Sequence, residues 1–224
     1  PGPAQELRLG DIGEADLAAA AAIHRAGFPD DLVSRMGLEA TRRYYAWLLR
    51  GPHDSEGFGA RLDGALVGVL IGGRFGSLIP GYLRSNMAFA ASRVLVRPWL
   101  LFHPSVRQRL SPFARSRGPA DAPPAPEEPT PEMPDPSGSA WELLAIAVAP
   151  SARGHGVGAR LVEEAARRAA RGGFDRMELS VHPDNATAIR FYEGIGWRKI
   201  VAAGGWTGRM WRPVPTEPRA STSP

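Results

Sequence analysis

The spacing of apolar residues changes period several times along this chain, and each change marks an element. Glu6 to Leu9 alternates as a short strand. Glu14 to Ala26 is alanine-rich with helical spacing, and a second helical pattern runs from Ser34 to Arg50, with Ser34 as its cap. Phe58 to Leu62 and Ala65 to Ile71 then alternate on either side of Asp63-Gly64, a dipeptide that supplies the positive φ angles of a tight hairpin. A strand from Trp141 to Ala149, a helix from Gly156 to Ala170, a strand from Arg176 to Val181, a helix from Asn185 to Ile195, and strands near Trp197 to Val201 and Trp206 to Trp211 complete the set. This order predicts an α/β protein with a mixed sheet and helices on both faces, and no internal repeat competes with it.

At 224 residues, 43% of them hydrophobic, the chain can fill one sizeable core. The expectation is a single domain over residues 1–214, followed by a flexible tail at 215–224. One segment, residues 77–139, interrupts the pattern. Its first part, Tyr82 to Leu110, is rich in Leu, Val, Phe, Trp and Arg, and reads as two helices broken at Pro98. Its second part, 112–139, carries prolines every few residues with Glu127, Glu128, Glu132 and Asp135 among them, which predicts extended, flexible chain.

Leu144 to Val148 is an apolar strand that runs through Ala149-Pro-Ser-Ala into Arg153-Gly-His-Gly156-Val-Gly158-Ala-Arg and then a helix. Glycines at 154, 156 and 158 allow positive φ and close backbone approach. Several consecutive N–H groups can therefore point at one oxyanion, with the positive end of the following helix behind them. A pyrophosphate fits such a turn. About thirty residues on, Asn185-Ala-Thr-Ala-Ile-Arg-Phe191-Tyr192-Glu-Gly-Ile-Gly196-Trp197 reads as an Asn-capped helix, a glycine stop and a new strand.

Together these two blocks resemble the GNAT superfamily of acyl-CoA N-acyltransferases. The likeness runs from about Trp141 to Trp211, is compatible with the chain before Gly76 and does not extend over residues 77–140. It implies the GNAT fold, a mixed and mostly antiparallel twisted sheet with helices on both faces, with the helical and Pro-rich segment 77–139 as an insertion between the third and fourth strands. It also implies acetyl-CoA as co-substrate. Arg153, Gly154, His155, Gly156, Val157, Gly158 and Ala159 would hold its pyrophosphate. Ile146, Ala147 and Val148 would present strand backbone to the pantetheine arm. Asn185 would both cap its helix and touch the coenzyme, and Tyr192 would stand beside the thioester, where its hydroxyl would hydrogen-bond or protonate the departing sulfur.

An amine must lose a proton to attack a thioester, so a base is needed as well. Glu142, at the start of the strand that leads to the glycine turn, occupies the place where many GNAT enzymes hold one. The alternative is a solvent-facing residue at a strand start. Glu178, Ser180 and His182 alternate along the next strand and share a face. Some relatives carry a catalytic glutamate where Ser180 stands, which sets this chain apart from those protein N-terminal acetyltransferases. Glu142 ranks first as base and His182, an imidazole on the next strand, second.

Composition narrows the chemistry further. There is no cysteine, which excludes disulfides, thiol nucleophiles and cysteine-ligated zinc, and the five histidines show no metal-ligand spacing, so no metal is expected. The first residues lack a basic start and an apolar stretch, which makes the cytoplasm the expected location. Net charge is +4, nearly all of it from arginine, since Lys199 is the only lysine. From Gly64 to Ala120 there is no Asp or Glu but eight arginines. Without stacking aromatics or a nucleic-acid module, nucleic acid is not the expected partner. The block suggests an acidic partner or a homodimer surface within 77–120, or a cover for the acceptor cleft. The apolar run Met87 to Phe102 is too short and too charged to span a bilayer, which argues against membrane contact.

Three functions fit these features: acetyl transfer from acetyl-CoA to a primary amine of a small molecule, transfer of a longer acyl group or transfer to a protein-bound or carrier-bound acceptor, and acyl-CoA binding without catalysis. Replacement of residues 77–139 by a short linker is expected to spare coenzyme A binding and change acceptor use.

Overall fold

The computed structural model describes residues 6–75, 78–96, 138–202 and 205–215. Seven strands form one sheet: β1 (Leu7–Asp11), β2 (Asp54–Leu62), β3 (Ala65–Arg74), β4 (Ala140–Val148), β5 (Arg176–Ser180), β6 (Arg198–Ala202) and β7 (Gly205–Pro213). Their order is β1-β2-β3-β4-β5-β7-β6, and every neighbouring pair is antiparallel except β4 with β5. The helices are α1 (Leu17–Gly27), α2 (Leu32–Met36), α3 (Leu38–Arg50), α4 (Leu78–Ser85), α5 (Met87–Val96), α6 (Val157–Arg171) and α7 (Ala186–Gly194). The predicted mixed, mostly antiparallel sheet between two helical layers is the architecture found.

Each layer has its own core. Leu161, Val162, Ala165 and Ala169 of α6 pack on Phe58, Leu70, Trp141 and Leu143. On the other face Leu17, Ala20 and Ile23 of α1 and Tyr45 and Leu48 of α3 pack on Val69, Ile71 and Ala147. A bulge in β4 links the two sides. Ile71 pairs with Ala145 and Gly72 with Leu143, which leaves Leu144 as the extra residue. Trp141 and Leu143 before it, and Ile146 and Val148 after it, all lie toward α6, while Ala147 lies toward α1. One inserted residue thus inverts the alternation halfway along the strand.

Local chemistry explains where the elements begin and end. Asp63 and Gly64 turn the β2–β3 hairpin at φ 49 and 83. The helix expected from Ser34 to Arg50 is two helices, because Gly37 sits between them at φ 107. Its cap is Asp31, whose carboxylate accepts the Val33 amide at 3.1 Å, while Ser34 is buried inside the first turn. In the insertion, the first helix starts at Leu78 rather than Tyr82, and the first break falls at Asn86, whose amide donates to Tyr82 O. Pro98, the remainder of the helical stretch to Leu110, the Pro-rich stretch to residue 137 and all of the 215–224 tail except Pro215 lie outside the described residues. No described helix is long and apolar enough to cross a membrane.

Candidate active site

A parallel pair needs both strands to run together, and β4 and β5 do so only from Ala140 beside Arg176 to Leu143 beside Leu179. β5 ends at Ser180, yet β4 continues on β3 to Val148, paired as Leu70 with Ile146, Val69 with Ala147 and Gly68 with Val148. The far edge of Leu144–Val148 therefore faces no strand among the described residues, and its backbone groups are free to pair with an extended ligand.

That open edge leads into the glycine turn. A short 3-10 turn, Pro150–Ala152, is followed by Arg153, by Gly154 at φ 79 and by Gly156 at φ 74, and α6 begins at Val157. The first amides of α6 have no partner within the helix. No acid stands in its first turn, while exposed Arg153, His155 and Arg160 surround it. The Arg153 side chain donates to Val148 O at 3.2 Å, which ties the turn to the strand end, and His155 Nδ1 lies 2.9 Å from Arg153 O. Space around Gly154 and Gly156 is open, with nothing within 4 Å of an added Cβ. Gly158 departs from the expectation: it is helical, and its Cβ position lies 3.2 Å from the Phe191 ring. Its smallness therefore serves the packing of α7 against α6. Val157 is buried, and Ala159 follows it in the first helical turn.

Asn185 caps α7, its Oδ1 accepting from Ala188 N at 3.1 Å. At the other end of α7, Tyr192 is 7% exposed and stacks edge-on with Phe191 and Trp197 at 5.2 and 5.6 Å between ring centres. Burial pushes its phenol up to about 12, so it keeps its proton at neutral pH. Among the described residues its hydroxyl makes no hydrogen bond, which leaves a donor free.

Glu142 lies in the closed half of β4, on the opposite face to Trp141. It lines a cleft of ≈ 230 Å³ with Gly73, Phe75, Glu178, Ser180 and Arg209. Burial and, secondarily, the neighbouring Glu178 push its carboxyl above the usual range, with Arg209 pulling the other way. Glu178 is held differently. Burial would raise it, but Arg176 Nε at 2.7 Å and the Arg209 guanidinium outweigh burial and keep it low. Two carboxylates side by side are thus shifted in opposite directions, Glu142 up and Glu178 down.

His182 is not brought into this cleft. β5 stops at Ser180, and His182 stands on the following loop with its side chain 76% exposed, accepting the Asp184 amide at 3.3 Å. The alternation expected to carry it onto the Glu178 face ends two residues too early.

Two residues around Glu142 have no signal in the chain order. Tyr44 of α3 lies within electrostatic reach of both Asp31 and Glu142, stacks on Tyr82 at 5.4 Å, and is pushed up to about 12 mainly by burial. Arg209 reaches Glu178 because β7 pairs with β5 as Ser180 beside Arg209. Buried His24 lies 3.1 Å from Tyr45 Oη and 3.6 Å from Asp31, which ties α1 to α3. Among the described residues no group of three or more His, Cys, Asp or Glu side chains could hold a metal ion.

Residues 126–197 match the family model described as Acetyltransferase (GNAT) family. The fold is shared with the ribosomal-protein-S18-alanine N-acetyltransferase from Escherichia coli, at a TM-score of 0.54 and 14% identity over 96% of this chain and 98% of that one. A GCN5-related N-acetyltransferase from Kribbella flavida aligns at 0.53 and 18% identity over 92% and 97% of the two chains. PaiA N-acetyltransferase from Thermoplasma acidophilum, solved in complex with coenzyme A, aligns at 0.52 and 13% identity over 93% and 99%. No curated protein matches the chain by sequence.

Proposed function

We propose that this chain, whose residues 126–197 match the acetyltransferase (GNAT) family model, transfers an acetyl group from acetyl-CoA to a primary amine of a small molecule by direct attack. The observation that carries this reading is the gap between β4 and β5, which begins beside Glu142 and ends on the α6 N-terminus. An extended thioester threaded along Ile146, Ala147 and Val148 would leave its pyrophosphate on the amides and cations of Arg153 to Ala159, with Asn185 close by. Its acyl end would then reach the Glu142 cleft.

Glu142 and Tyr192 belong to opposite faces of the sheet, and the gap is where groups on the two faces can meet. The amine nitrogen bonds to the thioester carbon while Glu142 takes its proton, and the C–S bond breaks as the sulfur takes a proton from Tyr192. A carboxylate raised by burial suits the first role and a phenol that keeps its proton suits the second. Glu142 is preferred to His182 because His182 is solvent-exposed on a loop. The packing of Tyr82 on Tyr44 supports a role for the insertion in walling the acceptor cleft.

The test is release of free coenzyme A thiol from acetyl-CoA against a panel of small amines. Amine-dependent release that is lost in Glu142→Gln supports the proposal. Tight coenzyme A binding with no release for any amine would leave an acyl-CoA-binding module instead.

A further inference from the structure

The proposed reaction uses one of two adjacent carboxylates and leaves the other without a task. Glu178 sits beside Glu142 in the parallel register of β4 and β5, strands that run about 4.8 Å apart. Both side chains point to the same face and both line the cleft. Like charges so close disfavour each other, so ordinary selection for stability would separate or neutralise them. Instead Glu178 is fixed: Arg176 donates to Oε1 from its own strand and Arg209 donates to Oε2 from β7. Glu178 has a side-chain exposure of 14% and Arg176 of 12%, which shields that pair from solvent screening, whereas Arg209 is 56% exposed. No hydrogen bond or ion pair among the described residues reaches Glu142. The charged and titratable groups around it are Glu178 from β5, Arg209 from β7 and Arg74 from β3, which line the same cleft, and Tyr44 from α3, which lies within electrostatic reach, with Gly73 opposite it on β3.

Resting on the assignment of Glu142 as base, we propose that Glu178 is a positioning residue for it: a carboxylate locked in its ionised form by Arg176 and Arg209, whose fixed negative charge favours transfer of the amine proton to Glu142. Arg209 is the counterweight. Its cation touches Glu178 but also acts on Glu142 in the opposite sense, so the balance of the two sets where the base becomes available. The shared proton moves only between amine and Glu142, and Glu178 stays ionised throughout.

The inference is tested on the full chain by titrating the side-chain carboxyl carbon of Glu142 by NMR, assigned through its loss in Glu142→Gln. Glu178→Gln is expected to lower the Glu142 midpoint by about one pH unit, and Arg209→Gln to raise it by a similar amount. Glu178→Asp, which keeps the charge, is expected to return the midpoint close to that of the parent chain. The acid limb of kcat/KM against pH should move in the same directions while the acetyl-CoA KM stays within about twofold. A purely structural ion pair would lower kcat without opposite displacements. Midpoints that stay fixed, or move the same way in Glu178→Gln and Arg209→Gln, overturn the inference. If these occur in a chain that Glu142→Gln inactivates, this inference alone falls; if Glu142→Gln turns over amines normally, the assignment of the base falls and this inference with it.

Discussion

The two halves of β4 differ in what they leave unpaired. From Ala140 to Leu143 the strand is paired with β5, and at Glu142 and Leu143 it also has β3 on the other side, so at those two residues the backbone is engaged on both edges and only side chains can act. From Leu144 to Val148 it has β3 alone, and the backbone itself is available. The closed half therefore supports a charged residue, Glu142, on a rigid base, and the open half offers a surface that takes its specificity from main-chain geometry. The Leu144 bulge stands between them and lets one strand serve both tasks.

The sharpest way to break this comparison is at Glu142. Glu142→Gln should cut kcat by about 10²–10⁴ with little change in the acetyl-CoA KM, as measured by steady-state kinetics with a responsive amine. A comparable rise in donor KM would mean that the closed half also binds the coenzyme. Tyr192→Phe probes the opposite face and should lower kcat by roughly ten- to a thousandfold at unchanged coenzyme A affinity, because only the departing sulfur loses a donor.

The open half answers to backbone changes. Gly156→Val places a β-branched residue at φ 74 and a side chain where the phosphates would approach, so the donor KM should rise by at least about tenfold in a folded protein. Calorimetry with coenzyme A checks this directly. The closed half should respond with stability instead. A Cβ on Gly72 would fall inside the Trp141 ring, so Gly72→Ala should lose about 1–3 kcal/mol, a fall in Tm of roughly 2–10 °C, by thermal unfolding.

The smallest effect joins chemistry to stability. Because burial raises Glu142, folding favours its protonated form. That contribution is complete below the pKa of an unfolded glutamate and is lost as pH rises through the folded value. Glutamine has no such dependence, so Glu142→Gln should melt roughly 2–4 °C higher than the parent chain at neutral pH, and the difference should vanish near pH ~4. An equal difference at both values would mean that Glu142 is not strained by burial.

Patterns within a few residues were legible in the chain order. The Asp63-Gly64 hairpin, the Asn185 cap, the glycine turn before α6 and the order of strands and helices all follow from local conformational preference, and the structure contains each of them. Local signals also misled where tertiary packing overrode them. Ser34 has the chemistry of a cap but is buried, because Gly37 divides the helix and Asp31 starts the first part. His182 has the right alternation but lies beyond the end of β5. Gly158 matches the turn pattern but lies within α6 without a positive φ, against the Phe191 ring.

What only the tertiary structure decided is the neighbourhood of Glu142. The sequence alone determined that a glutamate opens the strand leading to a glycine turn and the start of a helix. It could not determine that Glu178 stands beside that glutamate, that Arg209 reaches across from β7 or that Tyr44 of α3 comes within electrostatic reach, because those neighbours depend on the register of strands and helices far apart in the chain. Register is set by the summed burial of whole faces rather than by any local motif, and the proton affinity of a carboxylate depends on the charges and the solvent that register brings to it.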